Sequence, residues 1–232
     1  MLVFILLFIP LFVFYMNYRE FNRSRYRKVS NHTYWETFFD KGNSGEYYIY
    51  RKLEQLKISK LILTNLYIPK KDGSTTEIDL LMITKYGFFV VESKNYQGWI
   101  FGDEKHRQWT QTFPNKKKFK FFNPIWQNKG HISALKEVLG VTEDSLVQSL
   151  IVFSDNCELK KITVTSDNVH VLKKNRLNST IKQILTKSST KLTAEEIKKY
   201  YHILSPYIRA SKEVQEVHIQ KVTEKLRRTN RT

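Results

Sequence analysis

Residues 77–94 read EIDLLMITKYGFFVVESK, and the fold turns on how this stretch pairs with itself. Two apolar runs, residues 80–83 and 88–91, flank the turn-like Thr84-Lys85-Tyr86-Gly87. The pattern predicts two antiparallel strands joined by a four-residue loop on a type I turn, with Gly87 in the left-handed conformation. The loop centre falls between Lys85 and Tyr86, so residues whose numbers sum to 171 (85 + 86) face each other. Asp79 then stands opposite Glu92 (79 + 92), with Cβ atoms about 5 Å apart, and Lys94 points to the same face.

Like charges directly opposite each other destabilise a sheet. The pair becomes sensible when a divalent cation sits between the carboxylates, since a hard ion such as Mg²⁺ takes carboxylate, water and phosphate oxygens. A lysine beside that ion can orient or deprotonate a water and offset phosphate charge. The alternative is structural: Lys94 forms salt bridges with both acids at a strand end.

Outward from the hairpin, strand signals occur at KLILTNLYI (60–68), GWIFG (98–102), LVQSLIVF (146–153) and NVHVL (168–172). A helix is predicted from residue 42, capped by Asn43 or Ser44, with Ile49, Tyr50, Leu53 and Leu56 on one stripe. Glu46 shares that inward stripe, which is costly unless the carboxylate is paired or bound to a cation. A first-turn acid also suits the helix dipole. Residues 123–140 carry clear helix punctuation: Asn123 as cap, Pro124 at the first position and Gly140 as the stop. Between them, residues 103–122 read as an irregular excursion carrying Trp109 and the basic-aromatic run KKKFKFF (116–122). A helical tail follows from about residue 178, with a Thr193/Glu196 capping box and a last basic helix to about Arg228.

The chain has 232 residues, enough for a sizeable core in one or two domains, and is 41% hydrophobic. Its 39 Lys and Arg against 22 Asp and Glu give a net charge of +17, which favours nucleic acid or an anionic membrane surface as partner. The single Cys157 excludes an internal disulfide and offers no zinc cluster; the six His are scattered without HxH or HExxH spacing. Residues 1–16 hold no charge, and five basic residues follow within the next twelve. Residues 1–18 therefore read as an uncleaved transmembrane anchor, which Pro10 does not veto, with residues 19–40 as a basic juxtamembrane connector. The positive-inside rule would hold the rest of the chain on the cytoplasmic side of the cell membrane.

EID on one strand and ESK on the next, preceded by a helical Glu, resemble the PD-(D/E)xK nuclease pattern. GEYYIYRKLEQL, VVESKNYQGWIFG, Trp109 and NPIWQNKGHISALKEVLG narrow the resemblance to the nuclease-related domain (NERD) over residues 41–155. Ile78 stands where the pattern has proline. The resemblance implies an α/β fold, a mixed central sheet flanked by helices. It implies Asp79 and Glu92 as ligands of Mg²⁺ or Mn²⁺, Lys94 as the catalytic lysine, Glu46 as the helical acid and Gln127 as the helical glutamine. The expected activity is metal-dependent hydrolysis of phosphodiester bonds in DNA or another nucleic acid. Lys116, Lys117, Lys118 and Lys120 are the candidate phosphate contacts. The alternatives are a non-catalytic nucleic-acid-binding module or a membrane-surface scaffold that retains the fold.

Overall fold

The computed structural model describes residues 2–208, 218 and 220, with side chains from residue 9 onward. Helices α1 (Leu2–Arg23), α2 (Tyr26–Ser30), α3 (Tyr34–Phe39) and α4 (Lys41–Glu54) open the chain. Strands β1 (Leu61–Pro69), β2 (Thr75–Thr84), β3 (Gly87–Lys94), β4 (Gly98–Asp103), β5 (Gln108–Thr112) and β6 (Lys118–Phe122) follow. Then come α5 (Pro124–Leu139), β7 (Val147–Phe153), β8 (Cys157–Thr163), β9 (Val169–Lys173), α6 (Leu177–Thr186) and α7 (Ala194–Leu204).

The central sheet has the order β1-β2-β3-β7-β9, antiparallel from β1 to β3 and parallel from β3 to β9. Leu80 pairs with Val91 and Thr84 with Gly87 (80 + 91 and 84 + 87), so the register sum of 171 holds. The connection is two residues, Lys85 and Tyr86, because Thr84 and Gly87 close the ladder themselves. Thr84 Oγ1 accepts from Tyr86 N at 3.0 Å and donates to Gly87 O at 3.2 Å. Gly87 has φ 115°, and a Cβ there would meet the Leu146 carbonyl oxygen at 2.3 Å. Only glycine fits.

The central sheet is covered on both faces, which is why the middle of β3 is apolar without alternation. Tyr47, Ile49, Tyr50 and Leu53 of α4 pack with Leu80, Met82, Phe89 and Val91 on one face. On the other, Ala134 and Leu135 of α5 and Leu204 of α7 join Leu81, Ile83, Phe88 and Val90. A second sheet, β6-β5-β4-β8, joins the first through Ile100 and Trp109, which cluster with Ile151 and Phe153.

The fold class expected from the sequence is corrected on two points: a second sheet accompanies the mixed central one, and the expected N-terminal transmembrane helix fails. Among the described residues no helix is long and apolar enough to cross a membrane. Helix α1 runs on through Arg19, Glu20 and Arg23 and seats Phe21, 1% exposed, against Tyr26, Tyr34, Phe38 and Tyr47. The membrane partnership read from residues 1–18 is therefore without support among the described residues.

Residues 103–122 are also not an irregular excursion, since they form the β5–β6 hairpin. The cap of α4 is Asp40, whose Oδ1 accepts from Asn43 N at 2.8 Å, and not Asn43 or Ser44. Strand β8 has no counterpart among the strands expected from the sequence. The basic helix expected to reach Arg228 falls outside the described residues except at 218 and 220.

Candidate active site

Helix α4 lies so close to the end of β3 that a Cβ on Gly45 would come within 3.2 Å of Ser93 Oγ and 3.3 Å of Asn95 Cβ. That approach places the next residue, Glu46, beside the acids of the hairpin. On the opposite face, α5 is held by its own start. Asn123 Oδ1 accepts from Ile125 N, while its Nδ2 donates to the carbonyls of Asp103, Glu104 and His106 at 3.2, 3.1 and 2.7 Å. Asn128 Nδ2 reaches Val90 O and Ser149 Oγ at 3.0 and 2.8 Å. Gln127 and His131 therefore enter the site from a helix pinned at both sheets.

The structure brings Glu46, Asp79, Glu92, Lys94 and Gln127 together. Lys94 Nζ donates to Glu92 Oε1 at 2.6 Å and to Gln127 Oε1 at 3.0 Å. Asp79 Oδ2 accepts from Ser93 N at 2.8 Å. The electrostatics divide the acids into two kinds. Burial would push the Glu92 carboxyl up, but Lys94 and then His131 outweigh it and hold Glu92 below the usual carboxylate range. Burial also disfavours the Lys94 ammonium, yet Glu92 and Asp79 keep its pKa raised. Asp79 is pushed up by burial and by the facing Glu92, with Lys94 and the Ser93 N–H offsetting only part. Glu46 is pushed well up by burial, then by Asp79 and Glu77. Its Oε2 is buried and has no hydrogen-bond partner.

Two further residues escaped the sequence pattern. His131 Nε2 meets Glu92 Oε2 at 3.0 Å and His131 Nδ1 meets Thr76 Oγ1 at 2.6 Å. A carboxylate only accepts, so Nε2 carries the proton, and in the neutral ring Thr76 donates to Nδ1. The available signal was spacing: His131 follows Gln127 by four residues, which puts both on one helix face. Glu77 is the second, two residues before Asp79; burial raises its pKa, while a hydrogen bond from Tyr67 and the charge of His131 act against that.

The lysines 116, 117, 118 and 120 lie elsewhere. They sit exposed on the β5–β6 hairpin, β6 being an edge strand, with Phe119 and Phe122 also exposed between and beyond them. Among the described residues no hydrogen bond or ion pair links them to the acid cluster.

Among the described residues no three His, Cys, Asp or Glu side chains already form a metal cage. The donor set still fits a hard divalent cation. It offers carboxylate oxygens without sulfur, mutual repulsion between Asp79 and Glu92, and the orphaned oxygen of Glu46.

Comparison with known proteins agrees with this geometry. The nuclease-related domain family matches residues 41–154. An uncharacterized protein of Bacillus anthracis is 35% identical over 181 residues, covering 78% of this chain and 82% of its own length. No solved structure matches. With the acids, the lysine and the capped glutamine helix inside the matched segment, the chain belongs to the nuclease-related domain family.

Proposed function

We propose that this protein is a divalent-cation-dependent nuclease that hydrolyses phosphodiester bonds of nucleic acid, with DNA as the first substrate to test. The observation that carries the reading is the unsatisfied Glu46 carboxylate beside the repelling Asp79 and Glu92. Buried carboxylates left in this state are costly in a merely structural role. Asp79, Glu92 and Glu46 would hold Mg²⁺ or Mn²⁺, which when bound supplies an acidified water and charge neutralisation at the phosphate.

The chain's own residues do the positioning. Lys94 has three N–H donors and gives one to Glu92 and one to Gln127, leaving the third for a water or a phosphate oxygen. Gln127, in the first turn of α5, fixes the ammonium and adds the dipole of that helix end, which favours an anion. His131 and Thr76 fix the rotamer of Glu92. Burial, then Asp79 and Glu77, disfavour the Glu46 anion, a cost that a bound cation would offset.

The lysine hairpin would track neighbouring phosphates. Neutralising Lys116, Lys117, Lys118 and Lys120 should flatten the fall of log K with log salt, by about 0.9 for each phosphate no longer bound. An unchanged slope would leave these lysines as the charges that keep an edge strand from pairing with other chains.

The direct test incubates the full chain with linear, circular and single-stranded DNA in Mg²⁺, Mn²⁺ or EDTA. Cleavage that needs the cation and disappears in Lys94→Ala is the expected result. No cleavage of any substrate with either cation, or cleavage that survives Lys94→Ala, overturns the reading.

A further inference from the structure

A cavity of about 140 Å³ lies on the α4 side of Lys94, at the carboxyl ends of β3, β7 and β9. The carboxyl ends of parallel strands are where open α/β sheets take ligands. Its walls come from Ser44 and Tyr48 of α4, Ser93 and Lys94 of β3, Asn156 after β7, and Lys174 after β9. Two lysines line it and no acid does, which sets it apart from the carboxylate cluster next to it. Among the described residues nothing hydrogen-bonds to the Ser44 or Ser93 hydroxyl or to the Asn156 side-chain amide. Lys174 is held in place, with Nζ 3.6 Å from Asp155 Oδ2 and 4.7 Å from the centre of the Tyr48 ring. Asp155 is engaged on its other oxygen by Asn175 N at 2.9 Å and is not part of the wall.

Free hydroxyls, a free amide and a fixed ammonium together are a donor-rich, anion-seeking surface. The volume is small. It equals a handful of waters at about 30 Å³ each, and is well below the ~300 Å³ at which pockets for larger organic ligands begin. A phosphate group fits that description, and a nucleoside does not.

We infer that this cavity is a phosphate subsite that receives a phosphate of the bound strand next to the one being cleaved. It rests on the nuclease reading for its neighbour, Lys94, but phosphate binding can be measured without any cleavage. The phosphate can be the terminal monoester of a strand end or an internal diester, and the two differ in what they predict.

The test is anisotropy of the full chain with internally labelled duplexes ending in phosphate or in hydroxyl, in EDTA over a series of salt concentrations, where no cleavage intervenes. The variants are Lys174→Met, Asn156→Ala and Ser44→Ala, with Lys174→Arg as the conservative control. If the subsite takes a terminal phosphate, the wild type should prefer phosphate ends by about tenfold. Lys174→Met should erase that preference and Lys174→Arg keep most of it. If it takes an internal phosphate, both ends bind alike, but Lys174→Met weakens both and lowers the salt slope by about 0.9. Wild-type binding to every duplex by all three substitutions, in proteins that melt like the wild type, overturns the inference. A chain that shows the phosphate effect in EDTA yet never cleaves would break the nuclease reading alone.

Discussion

Glu104 on one side, and Asp79 with Glu46 on the other, are carboxylates in opposite states. Glu104, between β4 and β5, accepts from Thr165 N at 2.6 Å, Thr165 Oγ1 at 3.0 Å and Ser166 N at 3.1 Å, and from the Ser166 hydroxyl. Those donors outweigh the modest burial and bring its pKa down to about 2. Asp79 and Glu46 have the reverse arrangement: buried, facing other acids, with one Glu46 oxygen bonded to nothing. The fold is able to satisfy a carboxylate fully, and does so where the task is to clamp a loop. On the proposed nuclease reading, the partner missing at Glu46 is a cation.

The largest effect expected is on chemistry. Lys94→Ala should lower cation-dependent cleavage by about 10²-fold or more, read in single-turnover assays at saturating enzyme. A structural role for the ion pair predicts the reverse, lost stability and unchanged cleavage.

Next is His131→Ala, which removes one of the two groups that hold Glu92 below its usual range. Leaving that buried charge less satisfied should cost about 1–3 kcal/mol in denaturant unfolding. It should also weaken Mg²⁺ binding measured by calorimetry. His131→Gln, able to donate to Glu92, should recover part of both.

The cation-free protein carries the mark of the acid cluster in its pH dependence. Because Asp79 and Glu46 have raised pKa values when folded, the folded state binds more protons than the unfolded chain. Stability should therefore fall as pH rises from the ordinary carboxylate range, about 4, through the raised values. Glu92, held low, acts only at more acid pH. Asp79→Asn should flatten the slope and raise neutral-pH stability by up to about 1 kcal/mol, roughly 2–4 °C in Tm for a chain of this size. A slope unchanged by Asp79→Asn would mean that repulsion between Asp79 and Glu92 does not shape the stability.

Glu104→Gln gives the smallest change and the opposite sign. At neutral pH it should destabilise by about 0.5 kcal/mol once solvent screening is allowed for. The wild-type advantage is present above the unfolded carboxylate pKa and vanishes as pH falls through about 2. Equal melting of the two proteins at pH 7 would mean the four hydrogen bonds contribute nothing net.

The parts of the molecule legible in the sequence are those where local chemistry and tertiary packing agree. The β2–β3 register follows from the centre of the turn, and α5 from Asn123, Pro124 and Gly140, because each signal acts within a few residues. The pairing of Lys94 with Glu92 follows from strand alternation. Strands β5, β6 and β8 are hidden because their stability comes from partners far along the chain; β6 and β8 are exposed edges with few buried side chains. The Asp40 cap is masked by Gly42, a residue that argues against helix so early. His131 is invisible as a lone histidine and becomes meaningful only when α5 lies across β3. The apolar start of the chain misled by composition, since nothing in residues 1–16 announces that the same helix continues past them and seats Phe21 in the core.

The way α5 is pinned has a consequence in time as well as space. Glu92 and Lys94 wait on partners 39 and 33 residues further along, His131 and Gln127. Contacts that close long loops form late relative to a hairpin with a two-residue turn. A chain emerging from the ribosome presents Asp79 and Glu92 early, with neither His131 nor Gln127 yet in place. Asn123, which fastens α5, needs carbonyls of the second sheet for its cap, so the helix cannot settle until that sheet exists. A chain that ends before α5 thus carries the acids of the cluster without the residues that hold them in place.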